Sequence, residues 1–392
     1  MNARAFISTL LTAAMLMAVA CGLPLTARAD AAAWETSTIG EHEYYSLEHL
    51  RNFYKLTTPT KKKKGSNEVS IINSAFNLRV TPGSRELLIG GYRCRLMHAV
   101  QQREDGELLI SKTDYVKLID PILRPTYIPE RRNVQTVIID PGHGGTDPGN
   151  KSPLITESIF TLQLAQELAA ALQQQGLQVV LTRDTNRNLS DAERVKVEEQ
   201  HRDAIFISLH LNGGRSDVFG IETYTAAPQE PKNKAMQANR YDAANAALAF
   251  ALHSHAVNAT KAPDRAVRRA YYTMLNTVTC PAAMVMVGYA TNKEEATQLL
   301  SDEYRANLVQ GLAQGILAFK AAISTTAQII PPPPVATPPP APAAPDSTKQ
   351  TSSKTDKNKK SQKTSSSSSS KKSSSSANKN KNKNQSSGRR RR

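Results

Sequence analysis

The chain has 392 residues, a formal net charge of +16 and 39% hydrophobic residues, which is room for two modest domains plus tails. After Pro345, 11 Lys and 4 Arg against 2 Asp account for +13 of that charge, so the rest of the chain is close to neutral. The basicity belongs to a tail and gives no ground for a nucleic-acid-binding fold.

Arg4 precedes an apolar run from Ala5 to Leu25, and Ala27-Arg28-Ala29 fits a small-x-small cleavage site before Asp30. Residues 1–29 therefore read as an export signal, which places the mature chain in the periplasm or cell envelope. A membrane anchor is the alternative, for which the apolar core is short. A lipoprotein attached through Cys21 is a minority reading. Signal removal would leave Cys94 and Cys280, both in strand-like segments, where burial as small hydrophobes is expected. A disulfide between them is the other reading in an oxidising compartment.

Residues 39–123 read as a small α+β module. Ser46 can cap a helix over Leu47–Tyr54, and strand-like runs follow at Val69–Ile72, Phe76–Val80, Leu87–Gly91 and Glu107–Ile110, separated by turn residues. Asp114–Leu118 reads as a helix. Lys61–Lys64 falls in a polar loop that reads as solvated, with contact to an anionic wall polymer as the alternative. Residues 124–133 read as a linker.

Over 134–323 strands and helices alternate, the pattern of an α/β domain with a mixed, mostly parallel sheet flanked by helices. Val134–Ile139, Val179–Leu181, Ile205–Leu209, Gly220–Tyr224 and Ala282–Val287 are its strands. The helix after Glu157 carries an apolar stripe of Ile159, Leu162, Leu164, Leu168 and Leu172. Ser190 and Glu193 form a capping signature for a helix from Asp191. A long helix is expected over Met236–Asn258, and Leu308, Leu312, Ile316 and Phe319 mark a closing helix. From 330 to 392 a Pro-rich spacer leads into a Ser/Lys/Asn tail with almost nothing apolar, for which disorder is the expectation. That tail is either simply solvated or loosely attracted to anionic wall polymer or a membrane surface.

The most informative stretch is Val137-Ile138-Ile139-Asp140-Pro141-Gly142-His143-Gly144-Gly145. A buried strand that delivers a His to its carboxyl end on a Gly-rich turn is a common way to present a metal ligand. Glu157 opens a helix, and His210 ends the strand Ala204–Asn212. Two imidazoles and a carboxylate would hold zinc and leave a position for water. His42, His49, His98, His201, His253 and His255 read as structural or exposed.

Asp140 to Gly145, Glu157, Thr182-Arg183 and Ser208-Leu209-His210-Leu211-Asn212 together resemble the zinc-dependent N-acetylmuramoyl-L-alanine amidases of the Amidase_3 family. The resemblance covers about Val134 to Ala321. It implies a peptidoglycan substrate, hydrolysis of the amide joining the muramic acid lactyl group to L-alanine, and His143, Glu157 and His210 as zinc ligands. It also implies a general-base Glu within the run Pro281–Asn292, and here that place holds Met286, which has no titratable group. Three readings follow: a slow enzyme, a substitute carboxylate with Glu222 as candidate, or a zinc-bearing pseudoenzyme with a binding or regulatory role. Glu294 and Glu295 fall too far along. Arg265 is a candidate contact for a substrate carboxylate, with a surface salt bridge as the alternative. Asn212 is a candidate for orienting His210 or contacting substrate, and Asp140 for supporting His143. A polar stretch from Ala227 to Tyr241 reads either as a cover for the crevice or as a plain surface loop. Nucleic acid is not expected as a partner; a protein activator is left open.

Overall fold

A computed structural model describes residues 34–58, 67–129, 132–201, 203–227 and 239–324. The export signal with Cys21, Lys61–Lys64, positions 228–238 of the polar stretch and the tail from 330 lie outside the described residues. Among the described residues, no helix is long and apolar enough to cross a membrane.

The N-terminal part begins with β1 (Thr36–Ile39), β2 (His42–Ser46) and α1 (Leu47–Phe53), the helix capped by the Ser46 side chain accepting from the Glu48 amide. Next come β3 (Val69–Ile72), β4 (Asn77–Val80), β5 (Glu86–Ile89), β6 (Tyr92–Arg95), β7 (Gln101–Gln102) and β8 (Leu108–Ser111). Gly90 and Gly91, both at positive φ, make the tight turn between β5 and β6. β1, β2, β8 and β7 form a four-stranded antiparallel sheet. An irregular helical run over 112–123 leads into a short 3₁₀ turn at Pro125–Tyr127. The segment expected to be a linker is anchored: Ile128 is buried, and Arg124 stacks over the rings of Phe53 and Tyr127.

The α/β part runs β9 (Thr136–Pro141), α2 (Glu157–Gln173), β10 (Gln178–Leu181), α3 (Asp191–Glu199), β11 (Ala204–Asn212), β12 (Ile221–Ala226), α4 (Asp242–Thr260), β13 (Asp264–Ala270), α5 (Thr273–Thr277), β14 (Ala282–Tyr289), α6 (Lys293–Leu299) and α7 (Asp302–Ser324). Its sheet order is β10-β9-β11-β14-β12-β13, parallel except where β12 meets β14. This is the mixed, mostly parallel sheet that the alternating pattern predicts. β9 and β14 are buried at every position, as strands covered on both faces must be. On one face Val137, Ile139, Ile205 and Leu209 pack with Leu164 and Leu168 of α2, Leu248 and Leu252 of α4, and Leu312 and Ile316 of α7. On the other, Ile138 and Phe206 pack with Val195 of α3 and Met274 and Leu275 of α5.

The sheet does not stop at β13. Val267 pairs with Cys94, so β6-β5-β4-β3 continue it to ten strands. The Asp264 carboxylate accepts from the Arg93 amide (2.7 Å), and Lys117 pairs with Asp242 (3.0 Å). The N-terminal strands thus cover an edge that would otherwise offer unpaired backbone groups to another chain.

Two expectations change. Ile159 is 58% exposed, because the buried face of α2 is built instead from Glu157, Ser158, Phe160, Thr161, Leu164 and Leu168. Cys94 and Cys280 are free thiols in the cores on opposite faces of the sheet, so they do not pair. Burial pushes both thiols up, away from the reactive thiolate. A thiol reagent should accordingly leave both unmodified in the native protein and label both after denaturation. Peptide mapping checks this, and a disulfide-linked pair of peptides would contradict it.

Candidate metal centre

β9 and β11 are parallel neighbours, with Leu209 paired to Pro141, so both deliver their next residues to the same end of the sheet. Gly142 lets them converge: a Cβ there would sit 2.2 Å from Cε1 of His210. His143 takes a left-handed conformation (φ 60°), uncommon for a residue with a side chain. The turn is held from below. Arg183, fully buried, donates to the carbonyls of Pro141 (2.9 Å), Gly142 (2.8 Å) and Ser158 (2.8 Å). Arg194 of α3 donates to the carbonyls of Pro141 and His143, each at 2.9 Å.

The ligand atoms of His143, Glu157 and His210 lie within 4.8 Å of one another. His143 Nε2 is 3.3 Å and His210 Nδ1 is 2.9 Å from Glu157 Oε1. That oxygen also accepts from the Leu211 amide (2.8 Å), while Oε2 accepts from the amide (2.7 Å) and Nδ2 (3.0 Å) of Asn150. Burial works to raise the Glu157 pKa, but the bonds from His143 and His210 outweigh it and hold the carboxyl well below the usual range. Chiefly through Glu157, and also through Asp147, the His143 imidazole is raised to about 9.

Two supporting residues have no counterpart in the sequence reading. Asp147 Oδ2 is 2.7 Å from His143 Nδ1, and Asn150 bridges Glu157 to the Leu211 carbonyl (3.0 Å). The signal for Asp147 is its spacing of four from His143 on a second Asp-Pro-Gly turn. Gly149 is required beside them, since a Cβ would fall 2.5 Å from Cδ2 of His143.

Asp140, expected to support His143, does not touch it. Its carboxylate accepts from Thr182 (2.6 Å), Arg194 (2.5 Å) and Ser208 (2.8 Å), because the strand points it inward toward those three. It acts on His143 only through Arg194. Asn212 turns from His210 and donates to Glu222 (3.1 Å).

Glu222 stands opposite Met286 on adjacent strands. Its buried carboxylate takes Arg265 (2.9 Å), Tyr224 (2.6 Å) and Tyr289 (3.0 Å), and Arg268 lies 3.7 Å away. Burial opposes ionisation, yet Tyr224 and Arg265 prevail and hold the group below its ordinary value. Arg265 is thereby committed to an ion pair and lies over the Tyr289 ring. Glu295 accepts from the amides of Gly220 (2.8 Å) and Tyr289 (2.7 Å), fixing the turn after β14. Burial pushes it up to about 7. His253 is a structural bridge between Thr223 (3.0 Å) and Asp264 (2.9 Å).

A cavity of about 580 Å³ opens over the cluster. Its walls include Asn212, Tyr271 and Tyr272, its apolar part Met274, Met284 and Met286, and its acidic groups Asp140, Asp147, Glu157 and Asp191. The donor set fits a zinc-type ion: two imidazoles and one fully buried, ionised carboxylate converge on one point, each fixed by further hydrogen bonds.

Fold and cluster together define an α/β domain with a His-Glu-His cluster that could hold a metal ion. Residues 137–318 match the family model described as N-acetylmuramoyl-L-alanine amidase. The chain belongs, through this domain, to the Amidase_3 family, whose members hydrolyse amide bonds. It is 31% identical over 195 residues to an uncharacterized cell wall amidase of Bacillus anthracis, covering 47% of this chain and 35% of that protein. It is 26% identical over 182 residues to the sporulation-specific N-acetylmuramoyl-L-alanine amidase of Bacillus subtilis, covering 46% and 66%. Among solved structures, the catalytic domain of the CwlV amidase of Bacillus (Paenibacillus) polymyxa is 31% identical, with 48% of this chain and 99% of that chain covered and a TM-score of 0.43. The chain spans about a third of the length of the first relative and two thirds of the second.

Removing one ligand should remove the metal. Glu157→Gln is expected to lose stoichiometric zinc in equilibrium dialysis, and Asp147→Asn to weaken zinc binding by about 10–100-fold. Tight zinc in Glu157→Gln would contradict the ligand set. Asp140→Asn leaves Arg194 buried without its partner and should cost about 3–5 kcal/mol at neutral pH. Its folded pKa lies below the ordinary 3.8, so the stability it brings is complete above that value and lost as pH falls through the folded one. In acid titrations followed by circular dichroism, the gap between wild type and Asp140→Asn should therefore close below about pH 4.

Proposed function

We propose that the protein is a zinc-dependent N-acetylmuramoyl-L-alanine amidase that cleaves the amide between the muramic acid lactyl group and L-alanine of peptidoglycan, in wall remodelling or cell separation. The observation that carries this is the convergence of His143, Glu157 and His210 at the ends of two adjacent strands, inside a domain of that family. When bound, zinc supplies a Lewis acid for the amide carbonyl and lowers the pKa of a water to about 7.

The chain's own residues do the rest. His143, Glu157 and His210 hold the ion, Asp147 fixes the His143 ring, and Asn150 fixes the Glu157 carboxylate. Arg183 and Arg194 keep the ligand-bearing turn from shifting. The walls at Asn212, Tyr271 and Tyr272 offer polar and aromatic contacts for a glycopeptide. Met274, Met284 and Met286 make part of the wall apolar, which excludes water around the scissile bond.

Met286 also favours a second reading, a zinc-bearing protein that binds wall peptide without cutting it. Losing a general base typically costs about 10²–10⁴-fold rather than all activity, so the amidase reading is preferred. The cell-wall relatives and the reading of residues 1–29 support export to the envelope, with Cys21 as a lipid-attachment alternative. The basic tail fits anionic wall polymer or membrane surface, and it is the part that a nucleic-acid reading would need.

Zinc-loaded protein should release peptides with a new amino-terminal alanine from purified peptidoglycan. Chelation or His143→Ala should bring this to background, and zinc should restore the chelated wild type. Zinc-loaded protein that releases nothing but co-sediments with peptidoglycan would establish the binding reading instead.

A further inference from the structure

Four acidic side chains line the cavity, and three are already committed. Asp140 is locked by Arg194, Thr182 and Ser208. Asp147 holds the ring of His143, and Glu157 is in the ligand set. Among the described residues, only Asp191 is a cavity carboxylate with no hydrogen bond or ion pair. It is exposed, at the first position of α3, and the capping box of Ser190 and Glu193 fixes that turn. One helical turn on, Arg194 reaches the main-chain carbonyl of His143. Residues three apart share a helix face, so Asp191 stands on the face of α3 that is tied to the metal-bearing turn. Glu222 lacks these properties, being paired with Arg265 and absent from the cavity wall.

We infer that Asp191 is the general base of the amide hydrolysis, supplying from α3 the carboxylate that Met286 cannot supply from β14. This rests on the amidase reading. The Asp191 carboxylate takes one proton from the attacking water as the water oxygen bonds to the lactyl carbonyl carbon. It returns that proton to the departing nitrogen as the C–N bond breaks, so the products are the lactyl carboxylic acid and the peptide amine, with water as the only co-reactant.

The test compares wild type, Asp191→Asn, Asp191→Glu and His143→Ala on purified peptidoglycan, with zinc content and peptidoglycan co-sedimentation measured on each. The expected result is a fall in kcat of about 10²–10⁴-fold in Asp191→Asn with KM, zinc content and co-sedimentation unchanged, and partial recovery in Asp191→Glu. An active wild type with Asp191→Asn within about threefold of it would overturn the assignment and leave the amidase reading standing. A loss in Asp191→Asn that follows loss of zinc would also overturn it, since the role would then be structural. A zinc-loaded wild type with no turnover would sink the amidase reading and this one with it.

Discussion

The Glu157 carboxylate is the interaction on which the rest of the site depends. A fully buried carboxylate is costly unless it is paired and hydrogen-bonded. Here two imidazoles and the amides of Asn150 and Leu211 converge on it. Those donors come from two places, the loop after β9 and the end of β11, while the carboxylate itself stands at the start of α2. Satisfying one buried charge therefore fixes the relative positions of three chain segments. A cation placed among them would add charge compensation where the fold already concentrates negative potential.

Two buried arginines behind the turn make that arrangement rigid. Arg183 and Arg194 have their guanidinium groups inside the protein, where they bind main-chain carbonyls of the ligand-bearing turn. Asp140 neutralises Arg194, and the same Asp140 accepts from Thr182 and Ser208 on either side of its strand. The turn at 142–145, which includes a histidine in a left-handed conformation, is thus held by side chains rather than by a ladder. Elsewhere in the sheet the pairing of Glu222 with Arg265 plays a similar part, tying β12 to β13 and Tyr289. The acidic group nearest in register to Met286 is consumed in holding the sheet together.

Much of this arrangement was legible in the sequence because the proposed ligands stand at places that local signals mark. A β-branched run ending in Asp-Pro-Gly-His marks a strand end, and an apolar run ending at His210 marks a second. What stayed hidden is long-range or irregular. Asp140 finds Arg194 across 54 positions, and no pattern in either segment announces it. Asn150 acts from a loop whose shape depends on Glu157 already being in place. Ile159 was expected inside because it is apolar, but a helix that buries a ligand Glu must also bury the polar residues beside it. The continuation of the sheet from β13 into β6 hangs on one pair, Val267 with Cys94, between segments far apart in the chain. No periodicity within either could reveal it.

The central claim is that His143, Glu157 and His210 bind zinc in the geometry of an open hydrolytic site. X-ray absorption at the zinc edge of the loaded protein tests this most directly, because Met286 and two other thioethers line the same cavity. The account predicts a first shell of nitrogen and oxygen only, at about 2.0–2.1 Å, with the imidazole signature of two histidines. A sulfur scatterer at about 2.3 Å, or a shell without imidazoles, would contradict it.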